Sequence, residues 1–503
     1  MSNAFFSDLM TTIAERGRNL LDRRAWPFSE TEITAVHVAS LCDALLSGRG
    51  EATGAVIARE ALDAFARLPG AARSAFFEIL ARDFGPDQDQ LRKAVEAYAL
   101  EPNGATASRL HYWSEPRRQE LFRRLNRAPG GTKDLVTMRA ELLKTLGDHA
   151  DFALVDADFV HLFASWFNPG FLVLRHIDWG TPANILEKII RYEAVHQIHD
   201  WDDLRRRIDP KDRRCYAFFH PALIDEPLIF VEVALTAAIP DNIQGLLATE
   251  RTLEHPEKAR TAVFYSISNC QQGLAGVSFG NFLIKQVVEE LRRELPRLDQ
   301  FVTLSPVPGF MKWLSSGEDA PISKLDPALR ALLNTDGWAE SPEKQEMLRR
   351  QLEPLAAEYF LKAKSPNGRP VDPVARFHLG NGARLERINW LGDRSSKALR
   401  ESAGLMVNYL YDLDEIEDNH EAFLNKGEVV AASAVKKLLR AETRSLFSRH
   451  TGPMRPHLAE QKLSEKIESI GGLVEPDGIA VAHSDLKGSG HRGLAFDVKK
   501  GTD

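Results

Sequence analysis

The apolar and polar positions of this chain change rhythm near residue 168. Before that point the apolar residues recur at helical spacing. Ile33, Val36, Val38, Leu41 and Leu45 share one face behind an acidic start at Glu30-Thr31-Glu32. An earlier helix is predicted through Leu9, Ile13, Leu20 and Leu21, and others over 55–66, 71–83, 88–99, 115–126, 132–147 and 157–167. Breaks fall at Gly48–Gly50, Pro69-Gly70, Gly85-Pro86, Pro102–Gly104 and Pro129–Gly131. No strand-like run interrupts them, so residues 5–168 read as an all-helical domain.

After Asn168-Pro169-Gly170, β-branched and aromatic runs predict strands at Phe171–Arg175, Arg214–Phe219, Pro227–Thr236, Ala262–Ser268 and Phe301–Leu304. Helices at Pro182–Glu193 and Asn281–Leu295 alternate with them, which implies a mixed sheet covered by helices and an α+β chain overall. This second domain is expected over 169–450. It carries a helical insertion between Ser315 and Ala363 that includes Glu343–Phe360. Asn381-Gly382 predicts a hairpin joining two short strands between Phe377 and Trp390, and Leu399–Leu424 and Glu428–Phe447 read as helical. Residues 451–503 bear many glycines and no sustained period, and read as an appendage, mobile or docked on a neighbour.

Composition narrows the function. A net charge of −7 argues against a general nucleic-acid binder. The clusters Arg205–Arg207 and Arg213-Arg214 read as solvated faces, or as an entrance for a phosphate-rich ligand. Cys42, Cys215 and Cys270 are far apart, with no zinc spacing, so no metal site is expected and a reducing cytoplasm is. No apolar run approaches the roughly 18 residues of a membrane span. No secretion signal is seen at the start and no Ser-Lys-Leu address at the end. His111, Trp113 and His149 are read as structural.

The stretch Ala262–Phe310 organises the second domain. Its turn, Gln271–Gly280, contains Gly273, Gly276 and Gly280 and feeds a helix N-terminus, where free backbone N–H groups can hold a phosphate. It is neither GxGxxG nor a P-loop. The strand–turn–helix–strand order resembles the acyl-CoA-binding core of GNAT acetyltransferases, with Ala275, Gly276, Val277, Ser278, Phe279 and Gly280 at the pyrophosphate turn. Ala275 replaces the usual Gln or Arg, and Ser278 stands where the first glycine belongs. The longer string FYSIS, QQGLAGV, FLIK, LSPVPGF, FHLGNGARLERINWLGD and GLMVNYLYDLDE, with FLVLRHIDW, EAVHQIHDWDDLRRRI, RRCYAFFHP and EPLIFVEVALT upstream, resembles the malonyl-CoA decarboxylase family from Phe171 to Leu439.

That resemblance implies a GNAT-like catalytic domain, decarboxylation of malonyl-CoA to acetyl-CoA, and no cofactor beyond the coenzyme A of the substrate. It gives His378 the role of proton donor and Ser305 that of second catalytic residue, proton acceptor or positioner. It makes Tyr411 an active-site tyrosine with Asn408 beside it. Ala275–Asn281 would cradle the pyrophosphate. It further implies a homo-oligomer, a tetramer, assembled through the helical domain. Without the resemblance, His378 reads as a packed histidine, Ser305 as a turn former, and the Tyr409–Tyr411 cluster as aromatic packing on a helix. Two other functions share the coenzyme site: an acyltransferase, which needs an acceptor amine, and a non-catalytic acyl-CoA sensor.

Overall fold

A computed structural model describes residues 33–47, 50–147, 149–277, 282–317 and 320–439. The helix predicted through Leu9 and Leu21 lies outside them, as do Ser278, Phe279, Gly280, Asn281 and everything from residue 440 on. The described helical region runs α1 (Ala35–Leu46), α2 (Glu51–Arg67), α3 (Gly70–Asp83), α4 (Gln88–Leu100), α5 (Gly104–Ser114), α6 (Arg117–Leu125), α7 (Gly131–Thr145) and α8 (Phe152–Trp166). Phenylalanines fill its centre. Phe122 stacks on Phe159 at 4.1 Å, and Phe76, Phe77 and Phe163 are fully buried around them. Helix α5 was not predicted. Asn103 starts it with a capping box shared with Thr106, yet it buries no residue, so its apolar period carried no signal.

The sheet begins at β1 (Val173–Ile177), after a 3-10 turn over Pro169–Phe171 that shifts it two residues from the predicted strand. Strands β2 (Arg213–Phe219), β3 (Pro227–Thr236) and β4 (Thr261–Asn269) continue it as an antiparallel meander. Strand β5 (Gln300–Thr303) then joins β4 in parallel. Two-residue β6 (Ser305–Pro306) and β7 (Arg384–Asn389) both pair antiparallel with β8 (Met406–Leu410). The mixed sheet and its strand–turn–helix–strand unit are therefore as expected. Strand β3 is buried along nearly its whole length, because both faces of the sheet are covered. On one face Ile185, Leu186 and Ile189 of α9 (Ala183–Tyr192) and Leu204 and Ile208 of α10 (Trp201–Ile208) pack on Cys215, Ala217 and Phe230.

Further described helices include α11 (Ile243–Leu247), α12 (Phe282–Glu294), α13 (Phe310–Leu314), α14 (Pro327–Leu333), α15 (Pro342–Leu361), α16 (Pro373–Gly380), α17 (Ser396–Ser402) and α18 (Ile416–Lys426). They correct three expectations. Asn381-Gly382 is not a hairpin: it closes α16, where the Gly382 N–H donates to the Leu379 carbonyl at 3.0 Å. Gly382 sits at φ +82°, and a Cβ there would run into the Ile416 carbonyl, so glycine is required. Leu399–Leu424 is not one helix. Ala403 and Gly404, both at positive φ, end α17 and release the chain into β8. Finally, the basic clusters are not wholly solvated. The buried Arg207 guanidinium donates to the His196 and Gln197 carbonyls at 2.7 and 2.9 Å, and the Arg213 guanidinium to the Leu246 carbonyl at 2.6 Å.

Candidate active site

Three expected residues converge from three elements. Ser305 opens β6, His378 lies in the last turn of α16, and Tyr411 directly follows β8. His378 Nε2 is 3.2 Å from Ser305 Oγ, and Nδ1 is 2.7 Å from the Tyr411 hydroxyl. All three are buried, at 5, 3 and 2% exposure. The chain reaches this geometry through ordinary local rules. Asp372-Pro373 is a helix start, with the Asp372 carboxylate accepting from the Ala375 N–H at 2.7 Å and proline at the first helical position. One and a half turns later His378 faces the sheet. The ring of Tyr409 stacks on its imidazole at 4.7 Å.

Burial without a charged partner pushes the imidazole down to about 3. His378 is thus neutral near pH 7. Burial pushes the Tyr411 phenol well above its usual value, so it too is neutral.

A second layer holds the triad. Ser305 Oγ donates to Thr303 Oγ1 at 2.9 Å. Tyr359 of α15 packs edge-on against Phe310 and beside Trp313, just after the Ser-Pro-Val-Pro-Gly segment, and donates its hydroxyl to Asp372 at 3.0 Å. Sequence reasoning missed these residues. The signals were there in the two-residue spacing of Thr303 and Ser305 and in the Asp-Pro start of α16. Asn408 is not brought to the triad. Its side chain donates to the Thr303 carbonyl at 2.8 Å and accepts from Asn389 at 2.8 Å. It alternates with Val407 and Tyr409 along β8 and so faces the other side of the sheet.

Beside α16 opens a cleft of about 600 Å³. Ala275, Gly276 and Val277 of the glycine turn line one wall, Arg376 and Phe377 of α16 with its cap residue Asn381 another, and His420 and Phe423 of α18 a third. The triad residues are not among its walls. Helix α16 serves both, with Phe377 in the cleft and His378 in the core. The N–H groups of Ala275 and Val277 are spent inside the turn, on the Gln272 and Leu274 carbonyls at 3.0 Å, so these two are not free for a phosphate.

The helical region reaches this turn directly. Arg139 of α7, held by Asp156 at 2.8 Å, donates to the Gly273 carbonyl at 2.8 Å. Gly273 lies so close to α7 that a Cβ would sit 2.7 Å from the Val136 carbonyl carbon and closer still to its oxygen.

Comparison with known proteins agrees with this architecture. Residues 84–167 match the family model "Malonyl-CoA decarboxylase N-terminal domain", and residues 170–449 match "Malonyl-CoA decarboxylase C-terminal domain". The mitochondrial malonyl-CoA decarboxylase of Anser anser anser is 38% identical over 406 residues, covering 73% of this chain and 79% of the relative. That of Rattus norvegicus is 37% identical over 409 residues, covering 73% and 82%. The crystal structure of malonyl-CoA decarboxylase from Rhodopseudomonas palustris is 56% identical with a TM-score of 0.77, covering 80% of this chain and 99% of that one. Matches of this depth across both the helical region and the sheet leave one conclusion: the chain belongs to the malonyl-CoA decarboxylase family.

Proposed function

We propose that this chain converts malonyl-CoA to acetyl-CoA and CO2, with Ser305, His378 and Tyr411 as its catalytic residues. The observation that carries the assignment is the Tyr411–His378–Ser305 hydrogen-bonded chain, buried beside a cleft of about 600 Å³ in a member of this family. The chemistry needs no electron-accepting cofactor. When the C–C bond to the carboxylate breaks, its electron pair moves into the thioester carbonyl and gives an enolate. A water-poor site favours this step, because compact carboxylate charge spreads over the enolate as CO2 leaves. His378 Nε2–H then delivers its proton to the α-carbon. Nδ1 recovers a proton from the Tyr411 hydroxyl, which is refilled from solvent. A thioester enolate is a far stronger base than imidazolate or phenolate, so a neutral donor suffices. Ser305 positions the imidazole; its hydroxyl is too weak a base for proton abstraction.

Malonyl-CoA incubated with the purified chain is expected to give acetyl-CoA by mass spectrometry, with the thioester intact. Free thiol appearing only with an added amine would mean acyl transfer, and binding without product would mean a sensor.

A homo-oligomer is part of the same proposal, with the α4–α5 hairpin as the contact. It exposes Leu100 at 89% and Tyr112 at 68%, beside Val95 and Tyr98, and α5 buries nothing of its own. Leu100→Glu with Tyr112→Glu is expected to shift the particle to a smaller mass by light scattering, with CO2 release retained.

A further inference from the structure

We propose that Thr303 is a positioning residue that fixes the tautomer of His378 through Ser305. The inference rests on the decarboxylase reading above. Thr303 is fully buried at the end of β5, two residues before Ser305. Its hydroxyl oxygen accepts two hydrogen bonds: from the Tyr409 N–H at 3.1 Å and from the Ser305 hydroxyl at 2.9 Å. A hydroxyl oxygen has two lone pairs, and both are used. The amide can only donate and so holds one lone pair, and the geometry makes the Ser305 hydroxyl the donor to the other.

The consequence passes down the chain. Ser305 has one proton, and it points at Thr303. Toward His378 the serine therefore offers a lone pair, and Nε2 at 3.2 Å must bear the hydrogen. A neutral imidazole has one N–H, so Nδ1 is left as the acceptor for the Tyr411 hydroxyl at 2.7 Å. The donors thus run in one direction: Tyr411 to His378, His378 to Ser305, Ser305 to Thr303. This is the polarity in which Nε2 holds a proton to give and Tyr411 stands ready to neutralise, at Nδ1, the imidazolate that is left. Without the threonine hydroxyl, Ser305 would turn its proton to Nε2. The imidazole would then become the Nδ1–H tautomer, with nothing to donate at the reacting end.

The full chain labelled with 15N-histidine tests this by long-range 1H–15N correlation at neutral pH, with His378 assigned by its loss in His378→Gln. The parent is expected to show the Nε2–H tautomer. Thr303→Val is expected to show Nδ1–H and to lower kcat about a hundredfold, with KM for malonyl-CoA unchanged. Thr303→Ser, which keeps the hydroxyl, is expected to restore both. An Nδ1–H signal in the parent overturns the proposal even where the valine variant fails to fold. So does an unaltered tautomer in Thr303→Val, or equal loss of activity in Thr303→Ser. A parent chain that releases no CO2 defeats the decarboxylase reading instead, and the spectrum still decides the tautomer.

Discussion

His378→Gln is expected to slow CO2 release from malonyl-CoA by about 10²- to 10⁴-fold, the range that a placed proton donor supplies. KM should change little, because the side chain lies in the core and outside the cleft walls. Glutamine keeps hydrogen-bonding groups near Ser305 and Tyr411 but cannot relay a proton between them. The parent also carries a pH signature. An ordinary histidine titrates near 6.5, whereas burial holds this one near 3. The rate profile should therefore lack an inflection at 6.5. Stability should show the opposite. In the unfolded chain His378 takes up a proton below 6.5, and in the folded chain only near 3. Its contribution is complete above 6.5 and declines as pH falls through that window. Urea unfolding of parent and His378→Gln at several pH values reads this slope directly. A glutamine variant with parental kcat would remove the imidazole from the mechanism.

The second large effect is expected at Gly273→Ala, outside the triad. The new methyl would meet the backbone of Val136, which no rotamer change can clear. Overpacking of this kind costs about 1–3 kcal/mol. It should also push the glycine turn away from α7 and strain the Arg139 bond to the Gly273 carbonyl. Because Ala275, Gly276 and Val277 wall the cleft, a shift there misplaces the substrate. A loss on the order of a hundredfold in kcat/KM follows, with weaker coenzyme A binding by calorimetry. Parental affinity in a folded variant would show that the cleft does not depend on the helical region.

Much of the fold was legible because its signals are local. Strand β3 was predicted to the residue, since an unbroken apolar run between turn residues has few other readings. The segment after residue 399 was misread for the same reason. Met406-Val407-Asn408-Tyr409-Leu410 is apolar enough for either structure, and only the left-handed turn at Ala403-Gly404 decides. In the site, Ser305, His378 and Tyr411 were found by motif, but their bonds were not. The sequence separation of 73 between Ser305 and His378 leaves their distance unreadable without the sheet. Arg207 and Arg213 misled because a run of arginines looks solvated, whereas their partners are distant backbone carbonyls.

Tyr359 leans on the segment that leaves Ser305 and grips the cap of the helix that carries His378. It belongs to α15, inside a stretch that interrupts the sheet between its two functional halves. Such excursions are the usual place to trim an enzyme. Here the excursion is the hinge pin, and a version pared down to bare strands would keep Ser305, His378 and Tyr411 while losing the spacing that lets them meet.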